Sequence, residues 1–531
     1  MSLDLGPTDR ASGDGHAVVI GSSLAGLAAA QALVDHMDRV TVIERDRLPL
    51  TPRWRRGVAQ SRHAHTLMAG GHQELERLYP GITEGLLAAG MVSVRMPEDL
   101  LLLGPGGWTP RFETDLTMMT GSRDIIDSVV RNRLRADPKV TFVQEHEVMG
   151  LRGGRNDTVT GVWVRGRDRS ATGGWGERRL IPAHFVVDAS GRTSLAPQWL
   201  RELGYDAPRE SVVDAGTVCA TAMFAPPIGH VADWKCLMLA ASPDNPRQGV
   251  LTPVAGGKWM VSLFESGGAQ PPTDHESFLR AAGALRHPIL RQVIERATPL
   301  GPVYVSSRTE NRRRHYEKLR RWPDQFLVIG DAMAALNPVY GHGMSVAVQS
   351  ALLLDSMLRS HGTSVGITYR LRHALARQVD AAWRIATTSD LKYPWAEGTF
   401  APGPASRIGR RYIDRVAAVA PANRAAATVT LELGQLLVAP TATLRPRVLA
   451  AALFGGGRPA SAEPPSTTHG DSVGRRRRPV VPAPTFGVST TGVTGVRTTG
   501  SSAHRAGAPT VEEPLSSREA RPIDRNARRH G

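Results

Sequence analysis

The first sustained apolar run of the chain is AVVIG at 17–21, and it stops on a glycine. An unbroken run of this kind predicts a strand buried on both faces, as in a parallel sheet. Residues 21–37, GSSLAGLAAAQALVDHM, then repeat small and apolar side chains at helical spacing, so the strand turns straight into a helix. VTVIERD at 40–46 reads as a second strand and completes a βαβ unit of about 30 residues. Two later segments follow the same plan. FVVDASGR at 185–192 is an apolar strand ending on Asp188 and a Ser-Gly-Arg turn. FLVIGDAMAALNPVYGHGMSVAVQSALLL at 326–354 is a strand ending on Gly330 and Asp331, then a loop, then a helix from about Met344. Between these segments VCATAMFAP (218–226), VLTPV (250–254) and KWMVSLFE (258–265) read as strands of one further sheet. From 407 onward apolar residues recur every three to four positions with arginines between them, which predicts two helices, 407–420 and 427–454. Beyond 455 the periodicity vanishes into Pro, Gly, Ser, Thr and Arg. Such a segment cannot bury enough surface to offset its chain entropy and is expected to be disordered.

Composition narrows the function classes. The chain has 531 residues, 41% apolar and 5% aromatic, enough for a sizeable core. No window of about 20 residues is apolar and free of charge, so membrane spans are not expected. Two cysteines, Cys219 and Cys236, exclude a disulfide scaffold, an iron–sulfur cluster and a cysteine-based zinc finger, and both read as core thiols. The first 16 residues are polar and lack the apolar stretch of a secretory signal, so a cytoplasmic protein is expected. The net charge is +16, from 65 cations and 49 acids, but only five of the cations are lysine. An arginine excess of that size reads as a codon-usage effect. No helix-turn-helix, zinc-finger or aromatic-plus-basic pattern accompanies it, and nucleic acid is not expected as a partner. The stretch 455–531 holds 12 arginines against 6 acids and so contributes +6 of the +16.

The chemistry concentrates at the strand ends. The turn Gly21-Ser22-Ser23-Leu24-Ala25-Gly26 is a degenerate G-x-G-x-x-G, with Ser23 at the middle glycine. Gly21 permits the tight turn, a small residue at 23 lets the backbone approach a diphosphate, and Gly26 lets helix and strand pack closely. The helix then offers free N–H groups and the positive end of its dipole to an anion. Glu44 lies 23 residues after Gly21, at the end of the second strand, where an acid accepts hydrogen bonds from ribose hydroxyls. Asp331 is placed to bind a sugar or ribityl hydroxyl, and Gly341 and Gly343 allow close backbone approach before a new helix N-terminus. His63 and His65 alternate as metal ligands do, but no third ligand stands at a telling distance, so no metal is expected.

Taken together, GSSLAG with Glu44-Arg45, RRGVAQSRHAHTL (55–67), GSRDIID (121–127), VVDASGR and GDAMAALNPVYGHGMS resemble the FAD-dependent monooxygenases of the aromatic-hydroxylase type. In particular they resemble the actinobacterial branch with the polyether epoxidases and, more distantly, squalene epoxidase. The resemblance spans about residues 16–454. It implies an α/β fold: a Rossmann-like, glutathione-reductase-like FAD-binding domain in two parts (14–205 and 316–395), an inserted substrate-domain sheet (206–315), and C-terminal helices (396–454) before the basic tail. It implies that Glu44 holds the adenosine ribose, Arg45 the adenine side, and the Val148 backbone the adenine. Arg62 and Arg123 would lie near the phosphates and ribityl chain, Asp331 would bind the ribityl hydroxyl, and Gly341 to Met344 would offer N–H groups to the flavin N1/C2 carbonyl.

The implied activity uses NADPH or NADH as a transient co-substrate and O2, through a flavin C4a-hydroperoxide, to epoxidise or hydroxylate a lipophilic, polyketide-like natural product. Phe224 and Trp259, with Met223 and Met260, are candidates for the substrate wall, although strand alternation sends half of them the other way. An FAD-dependent prenyl or polyene reductase is the alternative. A flavin halogenase would need an early catalytic lysine and a W-x-W-x-I-P motif, whereas the first lysine here is Lys139 and the motif is absent. The amphipathic C-terminal helices leave a weak peripheral membrane contact open.

Overall fold

The fold is taken from a computed structural model that describes residues 15–168, 170–171, 173–242, 244–401, 403–455 and 461–465. Five parallel strands form its central sheet, in the order Phe326–Val328, Phe185–Asp188, His16–Ile20, Arg39–Ile43, Val140–Val143. All five residues of His16–Ile20 are buried, as an apolar run in the middle of a covered sheet must be. The helix Leu24–Val34 leaves the first strand through the glycine turn and buries nine of its eleven residues. Its run of alanines keeps it thin enough to fit between the sheet and the helix Gly343–His361, whose Val348, Ala351 and Leu354 share its core.

The second sheet has eight strands, and its centre is antiparallel: Val218–Ala225, Lys258–Glu265, Arg247–Val254, Cys236–Leu239. It then continues in parallel to Leu100–Gly104 and on to Gly107–Trp108. The 206–315 boundary drawn from sequence therefore omits residues 100–108, which reach this sheet from far upstream. Alternation divides its two faces. Ala220, Ala222, Phe224, Leu251, Trp259, Val261 and Leu263 pack with Phe278, Leu290 and Ile294 of two outer helices. Their neighbours in register, Cys219 opposite Phe264, Thr221 opposite Ser262 and Met223 opposite Met260, take the other face.

The C-terminal body contains three α-helices rather than two: Pro404–Val419, Arg424–Gly434 and Pro446–Phe454. The second predicted helix breaks because Leu436 has φ +55° and because Ala439 and Arg445, each preceding a proline, are held extended. No helix among the described residues is long and apolar enough to cross a membrane. The predicted disorder of the tail concerns residues that, apart from 455 and 461–465, lie outside the described ones.

Candidate active site

A cavity of about 440 Å³ runs along the carboxyl ends of the parallel strands and under the second sheet. It brings together Gly21, Ser23, Ala25, Glu44, Arg45, Arg123, Val148, Asp331, Gly341, Gly343 and Met344 on one lining. Gly21 sits at φ +97°, and a Cβ there would come within 2.8 Å of the Ala189 carbonyl oxygen. Gly26 does not line the cavity. A Cβ on it would run into the Gly21 carbonyl, so its role is to seat the helix on the turn. Arg123 is buried beside them. Its Nε donates to Asp127 Oδ1 at 2.8 Å and its Nη2 to Ser23 Oγ at 3.0 Å, which fixes a cation at the helix N-terminus. Turn N–H groups, helix dipole and guanidinium together make an anion seat suited to a diphosphate.

At one end of the cavity stands Glu44. Its Oε2 accepts from the Ser22 N–H (3.0 Å), the Ser22 hydroxyl (2.6 Å) and Arg55 Nη1 (2.9 Å), while Oε1 accepts from the Asp46 N–H (2.9 Å). Burial pushes the Glu44 pKa up, but the Arg55 charge and these hydrogen bonds outweigh it, and the net shift is downward. The carboxylate is thus ionised, with Oε1 left room to accept from a hydroxyl. Arg55 was not singled out from the sequence. It sits in the RRGVAQSRHAH stretch, but nothing in the spacing says which of its arginines turns inward.

At the other end, Asp188 is fully buried and accepts from the Ser190 N–H (2.9 Å) and the Ser194 hydroxyl (2.5 Å), which shapes the DASGR turn. Arg192 leaves that turn to donate to the carbonyls of Glu310 (2.8 Å) and Leu336 (2.6 Å), with its Nε 3.9 Å from Asp331. Desolvation raises the Asp331 pKa, opposed by the charges of Arg192 and Arg123. The loop 337–343 follows. Gly341 adopts φ +69°, and His342 donates from Nε2 to the Gly434 carbonyl at 3.1 Å. A buried carboxylate, Asp390, gathers the loop: it accepts from Tyr340 Oη (2.5 Å), Asn337 Nδ2 (3.2 Å) and Asn311 Nδ2 (2.6 Å). The helix Gly343–His361 starts there, with its first N–H groups at the cavity.

The second sheet closes the cavity, and here three sequence expectations are corrected. Phe224 and Trp259 do not line it. They lie on the outer face, 2% and 7% exposed, within the core formed with Phe278 and Leu290. The cavity takes Cys219 and Phe264 instead, and Met223 and Met260 share their face. Arg62 also lies off the cavity. It is exposed, its guanidinium stacked 4.0 Å from the Trp54 ring and 4.5 Å from the Tyr304 ring, so aromatic faces outside the cavity have captured it. Cys236 is a core thiol, whereas Cys219 is a wall residue; burial pushes both thiols up to about 12. His63, on the cavity wall, bonds through Nδ1 to Thr221 Oγ1 (2.9 Å), which meets Ser262 Oγ at 2.6 Å. Burial lowers the His63 pKa to about 4 and that of His65 to about 3, so both rings are neutral near pH 7. No sequence pattern pairs His63 with Thr221 and Ser262, which come from strands about 160 and 200 residues away.

The donor set therefore suits an extended dinucleotide: carboxylates for hydroxyls at Glu44 and Asp331, and cations with free N–H groups between them. Comparison with known proteins agrees. Residues 14–388 match the family described as FAD binding domain. The chain is 32% identical over 385 residues to Protein Rv3254 of Mycobacterium tuberculosis, covering 71% of this chain and 80% of that protein. It is similar in structure to pqsL, a probable FAD-dependent monooxygenase from Pseudomonas aeruginosa, at 16% identity and a TM-score of 0.51 over 71% of this chain and 94% of that one. The myxobacterial chondrochloren halogenase CndH is similar at 16% identity and a TM-score of 0.53, over 80% and 97% of the two chains. At such identities the structural likeness speaks for the fold alone.

Proposed function

Because this chain belongs to the FAD-binding-domain family of flavoproteins, we propose that it is an FAD-dependent monooxygenase that uses NADH or NADPH and O2 to epoxidise or hydroxylate a lipophilic small molecule. Bound FAD would supply the two-electron and oxygen chemistry. Glu44, through Oε1, and Arg45 would hold the adenosine end, with the Val148 backbone against the adenine. Arg123 and the N-terminus of Leu24–Val34 would take the diphosphate, and Asp331 the ribityl hydroxyls. The N–H groups at Gly343 and Met344 would stabilise negative charge at the ring end that faces them.

The observation that carries the reading is the joint placement of this helix N-terminus and the sheet wall on one cavity. The wall has two functions. Phe264 and Cys219 present apolar surface to the cavity and would exclude water from the reacting region. His63 is neutral, with Nδ1 tied to the Thr221–Ser262 pair, so its Nε2 is the atom that would exchange a hydrogen bond with a polar group of the substrate. A specific observation favours oxygenation over halogenation, for which a catalytic lysine is expected: among the described residues no lysine lines the cavity, and Lys139 donates its Nζ to the Val34 carbonyl. Stopped-flow absorbance of FAD-loaded, reduced protein mixed with O2 tests the proposal. A transient near-ultraviolet band distinct from oxidised flavin is the expected outcome. Direct reoxidation without a transient, with and without polyene or phenolic candidates, would transfer the reading to a prenyl or polyene reductase.

A further inference from the structure

The three C-terminal helices carry an unusual concentration of exposed apolar surface. Six large apolar side chains between 404 and 454 are exposed, namely Ile408, Ile413, Leu444, Leu449, Leu453 and Phe454, of 17 on all the described residues. On Pro446–Phe454 the division is clean. Val448, Ala451 and Ala452 turn inward, while Leu449, Ala450, Leu453 and Phe454 turn outward, with Leu453 61% and Phe454 85% exposed. An amphipathic helix normally shows the reverse, with its outward face polar. The neighbouring helix lies beside it: Arg415 donates to the carbonyls of Ala452 (3.0 Å) and Gly455 (2.7 Å), and Tyr412 Oη to that of Thr443 (2.7 Å).

The charge of the same unit has one sign. Between 404 and 454 there are seven arginines and two acids, 7 − 2 = +5. Both acids are engaged, Asp414 by Lys392 at 2.6 Å and Glu432 by Arg445 at 2.7 Å. Arg407, Arg411 and Arg447 are exposed and have no ion-pair partner among the described residues. The sequence that follows adds a further net +6, including the RRRR run at 475–478.

We propose that this unit docks the protein on an anionic lipid surface, with Leu449, Leu453 and Phe454 entering the interface and the arginines meeting lipid phosphates. Exposed apolar side chains alone would suit any hydrophobic partner. Unpaired arginines on the same helices, Arg447 on Pro446–Phe454 itself and Arg407 and Arg411 on Pro404–Val419, select an anionic one. A second copy of the chain is a poor occupant, because a two-fold contact through this unit would bring its net charge of +5 against an identical one. The helix is nine residues long and lies on the surface rather than spanning it.

The test is co-sedimentation of the full, FAD-loaded chain with phosphatidylcholine vesicles, with and without about a third phosphatidylglycerol. Binding is expected only to the anionic vesicles and is weakened by salt. The double variant Leu453→Ser with Phe454→Ser is expected to bind roughly ten-fold more weakly while melting at the wild-type temperature. A second variant, Arg407→Glu with Arg411→Glu, reverses two charges without touching an apolar residue and is expected to weaken binding likewise. Wild-type protein that ignores anionic vesicles overturns the proposal. So does a serine variant that binds unchanged, which would assign binding to the tail arginines alone. Sedimentation velocity showing a wild-type dimer that the serine variant splits would assign the face to a second copy instead.

Discussion

At the scale of single residues the site is an exercise in keeping charges ionised inside a protein. Glu44 and Arg55 are each buried, and each is tolerable only with the other. Removing the carboxylate charge while keeping its shape isolates the Arg55 guanidinium with the more distant Asp46, 3.5 Å away. Glu44→Gln is therefore expected to lose on the order of 3 kcal/mol in chemical denaturation and to weaken FAD binding at least ten-fold by fluorescence titration. Unchanged stability would mean that Arg55 finds water in place of its partner. Glu44 was legible because its offset from Gly21 is set by the length of one helix and one strand. Arg55 was not, because its side chain crosses to Glu44 from a 3-10 turn whose direction no local pattern encodes.

At the scale of elements, the loop 337–343 is held by an element that never touches the cavity. The helix Ile367–Asp390 ends on the carboxylate that ties Tyr340, Asn337 and Asn311 together. Asp390→Asn replaces one acceptor oxygen by a donor, and one of those three donors loses its partner in a buried setting. A loss of about 1–3 kcal/mol in thermal or denaturant unfolding is expected, together with weaker FAD binding. A variant that melts and binds FAD as wild type does would show that the loop is held by its glycine conformations alone. The strands of the second sheet teach a related lesson. Lys258–Glu265 and Val218–Ala225 match their predicted spans to within a residue, yet Phe224 and Trp259 were assigned to the wrong face. Period-two patterning reveals that a strand has two faces. When both faces are buried, one against helices and one over a cavity, it does not say which is which.

At the scale of the whole molecule, histidines forced to stay neutral couple folding to pH. Burial lowers the pKa of His63 to about 4, of His65 to about 3 and of His342 to about 4, all below the value of about 6.5 expected in the unfolded chain. The unfolded state then binds more protons between pH 6.5 and 4, so stability falls as pH falls through that window, by up to about 1.4 kcal/mol per pH unit for each such histidine. Asp188, Asp331 and Asp390, whose pKa values burial raises, oppose this trend where they themselves titrate. The melting temperature is expected to drop steadily from pH 7 to pH 5; a flat profile would mean that these rings gain a partner when protonated. Local sequence by itself determined four of the five parallel strands, the glycine turns and the acids at the strand ends, because each follows from short-range sterics and from where an apolar run must stop; Val140–Val143 joined the sheet unannounced. Tertiary structure alone decided that residues 100–108 join the second sheet, which of its faces meets the cavity, that Arg55 rather than Arg62 turns inward, and that Asp390 reaches the loop. Those outcomes depend on side chains brought together across hundreds of residues, where packing and desolvation rather than spacing choose the partner.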